Sequence, residues 1–361
     1  MAARNKTIDV IRKNKREKIF ASEISYLLQS EYTLGPTLLE LVNENQVEDN
    51  MLRMMFTCCH PRLSREHQVT LILKTLCGFS IPEIARAFLT GNDSIEKRLY
   101  RSRQQFREEK IGFEFPPPAE LENRLDAVLL SIYLLFNEGY NSSGSQDLIR
   151  IDLLEEAMRL TEILARHPLT SSPKVFALQA LMCFTNARNP ARLDAGGNIL
   201  LLKQQNRKLW NQEMVKEGIR LLDKASAGEK YSTYHLEAAI ACEHCLGKSF
   251  EETNWALILH YYNLLMELEP TAVVALNRMI VIAQVYGPAY ALEQVASLQE
   301  APSMKNYYLF YAVVADLHRQ QGNWNKAVSF LETAMRLTKS PAEKKLLGEK
   351  IEECVVKKGN K

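Results

Sequence analysis

The stretch from Ser80 to Phe106 constrains this chain more than any other: it encodes two short helices joined by a tight turn, the second studded with arginine. The first helix has its own start signal. The Ser80 hydroxyl is placed to accept from the backbone N–H of Glu83, and the Glu83 carboxylate to reach back to the Ser80 N–H, which makes a capping box. Pro82 falls in the first turn, where its missing N–H costs nothing. Ile81, Ile84, Ala85, Phe88 and Leu89 share one helical face, and Gly91 is expected to end the helix. Asn92 or Asp93 then caps a second helix, along which Ile95, Leu99, Ser102 and Phe106 form a stripe that faces a core. A further helix is expected before the pair, over 65–77. Ser64 is its cap, Gly78 its stop, and Val69, Ile72, Leu73 and Leu76 its packing face.

With the stripe turned inward, Lys97, Arg98, Arg101, Gln104 and Gln105 are expected on the other faces of the second helix. Long donor side chains of this kind reach phosphates, guanine O6/N7 or adenine N6/N7. A DNA-reading helix-turn-helix has this pattern. A basic amphipathic helix also serves as a plain solvated surface helix. The capping box, the turn length and the confinement of basic residues to the last helix favour the DNA reading.

The whole chain reads as all-α. Its 361 residues exceed one ordinary core and predict two or more domains. Alternating strand-like runs are scarce. The net charge of +2 does not by itself announce a nucleic-acid binder. Its distribution says more: roughly +4 precedes Gly112 and roughly −2 follows it. No secretory signal is visible. The longest apolar run, around 125–136, carries Asp126 and is too short to span a bilayer, so no membrane partner is expected. Seven cysteines at irregular spacing suit a cytoplasmic protein better than a disulfide framework.

The segment GFEFPPP, 112–118, cannot continue a helix and marks a domain boundary with a stiff spacer. Beyond it, helices are expected over 119–136, 148–166, 173–186, 208–226 and 233–246. Further helices over 254–270, 273–286, 307–321 and 324–337 pair as helical hairpins, and 342–355 closes the chain. Ala315, Gly322, Trp324, Ala327, Phe330, Ala334 and Pro341 follow the tetratricopeptide pattern of small residues between paired helices. A helical solenoid built this way works by contact rather than chemistry.

No residue set builds an active site, and neither cofactor nor metal is expected. Cys242 and Cys245 have C-x-x-C spacing, but no second pair follows, and one helical turn between them suits packing. Cys58 and Cys59 read as buried small hydrophobes beside His60. Glu138 and Asp194 are carboxylates in Gly-containing loops, explained by helix termination at Gly139 and by a turn at Gly196 and Gly197.

Several motifs together resemble a known family. Phe56–Leu63 (FTCCHPRL), IPEIARAFL, SIEKRLYRSR and LLFNEGY at 134–140 are similar to RNA polymerase sigma factors of the extracytoplasmic-function type. The similarity is closest to the group with a long tetratricopeptide-like extension. RLDAGG at 192–197, QQNRKLW at 204–210, YHLEAAIA at 234–241 and VVALNRMIVIA at 273–283 extend the resemblance over nearly the whole chain. It implies a winged-helix-like sigma region 4 over 50–112, followed by a tetratricopeptide-like extension over 119–361. It also implies that Ser94, Lys97, Arg98 and Arg101 read a minus-35 promoter element, with core RNA polymerase as partner. A protein or small-ligand regulator would act at the extension. Residues 1–19 resemble only the last helix of sigma region 2, and 20–49 a linker, so the chain is expected to be truncated at its start. The family pattern has carboxylates where Asn206 and Asn211 stand here, which predicts weaker binding of anything cationic at that loop.

Two functional readings of different classes follow. One is a sigma-type initiation factor modulated by its C-terminal helices. The other is a regulatory interaction module in which the sigma region is vestigial and the solenoid binds a protein partner.

Overall fold

The computed structural model describes residues 49–108, 115–142, 148–228 and 230–359. The basic helix expected over 1–19 and the linker up to residue 48 lie outside them, as do 109–114 of the spacer region. The described residues form fifteen α-helices and no strand, so the protein is all-α. The winged-helix-like expectation finds no wing there: the β-pairing recorded is one isolated bridge, Leu193 with Ile199. No described helix is long and apolar enough to cross a membrane.

The chain divides into two compact units. One runs to Gly139 and takes back Ile151–Ser171; the other is Tyr140–Arg150 with Ser172–Lys361. The first unit contains α1 (Asn50–Cys58), α2 (Arg65–Thr75), α3 (Ile81–Ala87), α4 (Asn92–Glu108), most of α5 (Pro118–Tyr140) and α6 (Ile151–Arg166). This moves the boundary expected at 112–118. Buried Arg124 on α5 donates to the Phe56 carbonyl at 3.1 Å, and Arg65 on α2 donates to the Asp126 carbonyl at 3.3 Å. On α6, Arg159 pairs with Asp49, the N-cap of α1, at 2.7 Å. Hydrogen bonds that Arg159 donates to the Glu156 and Asp49 carboxylates raise its guanidinium above its ordinary range. Three separate ties thus bind α5 and α6 to α1 and α2.

The second unit holds α7 (Pro173–Ala187), α8 (Gln212–Ala225), α9 (Thr233–Leu246), α10 (Trp255–Leu268), α11 (Ala272–Tyr286), α12 (Pro288–Gln299), α13 (Tyr308–Gln320), α14 (Trp324–Leu337) and α15 (Pro341–Gly359). From α9 onward, each helix packs on the next along the chain, and α7 packs on both α8 and α9. At the far end Ala315, Ala327, Leu331, Ala334, Leu347 and Cys354 share one buried cluster. The alanines let α13 and α14 approach closely, and Gly322 in a left-handed turn (φ 72°) joins them.

One helix here was not expected. α12 follows directly on α11 because Gly287, at φ 91° and ψ 161°, breaks the backbone, and Pro288 restarts it in a first turn where no N–H is needed. The helix expected from 208 instead begins at Gln212. Arg207–Leu209 is a separate 3-10 turn, and the Asn211 side chain caps α8 by accepting from the N–H groups of Glu213 and Met214, both at 3.1 Å.

Candidate nucleic-acid interface

The sequence of α3 explains its geometry directly. Glu83 Oε2 accepts from the Ser80 N–H at 2.6 Å and Ser80 Oγ from the Glu83 N–H at 3.4 Å, so the capping box is closed in both directions. The helix stops earlier than expected, at Ala87. Leu89 rather than Gly91 takes the left-handed conformation (φ 49°), and the Leu89 and Thr90 N–H groups return to the carbonyls of Arg86 and Ala85. Gly91 begins the next helix instead: its carbonyl accepts from Ser94 and Ile95, which puts it where Asn92 or Asp93 was expected as cap.

On α4 the stripe Ile95, Leu99, Ser102 and Phe106 is buried, against both α2 and α3. A helix turns about 100° per residue, so Ser94, Lys97, Arg101 and Gln104 fall together on a face away from that stripe. All four are exposed. Gln104 Nε2 donates to Glu108 Oε1 at 2.7 Å, while Lys97 and Arg101 form no ion pair among the described residues. Five cations on α4 stand against three carboxylates, Asp93, Glu96 and Glu108. The helix as a whole therefore carries a net positive charge, with exposed donors on this face.

Arg98 and Gln105 depart from expectation. Their helical positions lie between the polar face and the buried stripe, and both are drawn inward. Arg98 meets Glu66 Oε2 at 2.8 Å and Thr70 Oγ1 at 3.3 Å, and its guanidinium lies 4.8 Å from the centre of the Phe88 ring. Gln105 Nε2 donates to the Arg62 carbonyl at 2.7 Å. Both side chains are partly buried. Nearby, burial first and then the Arg98 and Arg101 guanidiniums hold the His67 imidazole below its ordinary range.

Sequence reasoning passed over Tyr100. Its side chain is 68% exposed on α4 and borders a groove of about 590 Å³ shared with Lys74, Ile81, Arg103 and Arg107. A large aromatic outside the apolar stripe of a polar helix was the available signal.

Residues 124–226 match a family of unknown function, DUF6596. The chain is 33% identical to the "Uncharacterized protein R00370" of Rhizobium meliloti (strain 1021) over 340 residues, which cover 94% of this chain and 79% of that protein. The chain belongs to the same family as that rhizobial protein. No solved structure is significantly similar to it.

Within the family segment 124–226, the residues that suggested a ligand loop have structural partners. Asn206 accepts from the Lys208 N–H at 3.1 Å and caps the 3-10 turn, as Asn211 caps α8. A side-chain oxygen is what a cap requires, so an amide fills the place of a carboxylate there without loss. Arg207 closes the C-terminal end of α9, donating to the carbonyls of His244 (2.6 Å) and Gly247 (2.5 Å) and to Thr253 Oγ1 (3.1 Å). Its guanidinium also lies 4.8 Å from the centre of the buried Trp210 indole. Arg192, buried, donates to the Tyr140 carbonyl and lies over the Tyr140 ring. A cation at a helix C-terminus offsets the partial negative charge of its unpaired carbonyls.

The other candidates for chemistry also fall to structure. Glu138 is not in a loop but inside α5, buried, and Gly139 lies in the same helix, which runs on to Tyr140. Asp194 Oδ1 accepts from the N–H groups of Gly196 and Asn198, both at 2.8 Å, and Oδ2 accepts from the Asn198 amide. Those bonds, the Asn198 pair foremost, hold its carboxyl below the ordinary range. Burial pushes the Cys242 and Cys245 thiols up to about 11 and about 12, away from the thiolate that a metal or a redox partner needs. Cys245 Sγ donates to the Phe184 carbonyl at 3.7 Å. Among the described residues, no group of three or more His, Cys, Asp or Glu side chains is arranged to hold a metal ion.

Proposed function

We propose that this protein is a sigma-type transcription initiation factor that binds a minus-35 promoter element through α4. Core RNA polymerase would be its protein partner. One observation carries the reading: α4 is anchored by the buried stripe Ile95, Leu99, Ser102 and Phe106 and leaves Ser94, Lys97, Arg101 and Gln104 exposed together. A short capped helix and a four-residue turn precede it, as in helices that enter a major groove. In this reading Lys97 and Arg101 supply phosphate or guanine contacts, and Ser94 and Gln104 supply shorter-range hydrogen bonds.

The second unit supports a modulating role. Its neighbour-to-neighbour packing and the alanine-lined contact of α13 with α14 suit a short tetratricopeptide-like solenoid, a surface for a protein or small-ligand regulator.

The test is selection of duplexes from a randomised pool by the purified full chain at low salt, followed by titration of the Lys97→Ala and Arg101→Ala variants. An enriched sequence that both variants bind more weakly is the expected result. Failure to enrich any sequence, or unchanged binding by both variants, would reject the reading.

A further inference from the structure

Among the cations of α4, Arg98 is tied to two other parts of its unit at once. Glu66 lies in the first turn of α2, Thr70 one turn further along it, and Phe88 in the turn that follows α3. The Arg98 side chain is only 16% exposed, although Glu66 itself is largely open to solvent. To reach a base edge the guanidinium would have to leave a carboxylate, a hydroxyl and a ring face together. Arg101, three residues on, is exposed and has no comparable tie.

We propose that Arg98 is a positioning residue: it sets the rotation of α4 on α2 and on the α3–α4 turn, and leaves DNA contact to Lys97 and Arg101. The proposal rests on the DNA-binding reading above and separates two roles within it. A guanidinium is suited to this task, because its planar fork of donors can meet Glu66 and Thr70 while its face lies on Phe88. The backbone is tied at the same place, since Ser102 Oγ donates to the Arg98 carbonyl at 2.8 Å. Without this anchor α4 would spend part of its time in orientations that cannot dock, so the binding-competent fraction falls while the bound state keeps its Lys97 and Arg101 contacts, weakening all sequences alike.

The experiment uses the full chain and the duplex it selects from a randomised pool. Affinity is measured across a salt series and against every single base-pair variant of that duplex, at a temperature where circular dichroism shows each protein variant fully helical. Arg98→Met is expected to lose about fivefold in affinity on every duplex alike, with the salt slope unchanged. Arg101→Met should reduce that slope by about one. Glu66→Gln, which leaves Arg98 in place but loosens its anchor, is expected to weaken binding in the same uniform way. The proposal is overturned if Arg98→Met lowers the slope, loses discrimination at one base pair, or binds as well as the parent. It is equally overturned if Glu66→Gln tightens binding, since the carboxylate would then be competing with DNA for Arg98. If the parent chain selects no duplex, the DNA-binding reading fails and takes this inference with it, a result distinct from all of these.

Discussion

Gly218→Ala is expected to destabilise the second unit, although the same change in a solvent-facing helix stabilises. Gly218 sits buried on α8, where a Cβ would come within 2.7 Å of Phe184 Cε1 and 2.9 Å of both Cδ1 and Cζ. Phe184, on α7, is fully buried, so its ring has no route out to solvent. Helix propensity favours alanine over glycine by about 1 kcal/mol. Forcing one extra carbon into a filled core costs about 1–3 kcal/mol. The steric term wins, and a net loss of about 1 kcal/mol follows. Phe184→Leu in the same chain removes the clashing ring edge. The double variant should therefore lose less than the sum of the two single losses, by about 1 kcal/mol, as expected for residues in direct contact. Urea unfolding followed by far-UV circular dichroism gives the free energies, and hydrogen exchange of α7 and α8 amides locates the change. If Gly218→Ala proves more stable than the parent, or the two losses simply add, the close α7–α8 contact is not what the glycine serves.

Other outcomes follow from particular residues. Lys97→Ala and Arg101→Ala should each cost about 1–3 kcal/mol of DNA-binding free energy without loss of helicity, read by titration beside circular dichroism. Gly287→Ala should cost about 1–3 kcal/mol through backbone strain alone, because a Cβ there meets no atom within 4 Å and only the φ of 91° opposes it. Thermal unfolding of the variant checks this, and an unchanged midpoint would refute it. Burial, with the Arg188 and Arg207 guanidiniums adding to it, pushes the His244 imidazole down to about 3. The unfolded imidazole takes a proton near 6.5, so between these values the unfolded chain binds more protons than the folded one. Stability from this group is complete above about pH 6.5 and falls by at most about 1.4 kcal/mol per unit as the pH drops towards 3. Urea unfolding at pH 7.5 and 5.5 should show the fall, and His244→Phe, which keeps the edge-on contact with Trp255, should flatten it. Equal slopes in variant and parent would refute the assignment.

The division into two units also decides which truncations are informative. The first unit takes back Ile151–Ser171 after the chain has entered the second, so no single cut separates them. A cut after Gly112 removes Arg124 and Arg159, which tie α5 and α6 to α1 and α2. A change in DNA binding by such a fragment reports on the stability of the first unit as much as on any regulatory role of the second.

What the sequence determined by itself was local. The capping box of Ser80 and Glu83, the Ser64 cap, the stripe from Ile95 to Phe106, and the helices Thr233–Leu246 and Trp324–Leu337 are all legible, because each depends on atoms within a turn or two of one another. The tertiary structure decided what happens to groups at the margin of a face. Arg98 and Arg101 are the same residue type three positions apart on α4, yet one is anchored by Glu66, Thr70 and Phe88 and the other is exposed. Their spacing puts Arg98 nearer the buried stripe than Arg101 but does not supply the anchor, because its partners come from α2 and from the turn before α4. The same holds for Arg124 and Phe56, 68 residues apart, and for Arg159 and Asp49, 110 apart, which carry the first unit past the proline-rich spacer. Helical periodicity and caps are properties of a short segment. Which charged group finds a partner depends on the elements that packing brings beside it, and that information is spread over the whole chain.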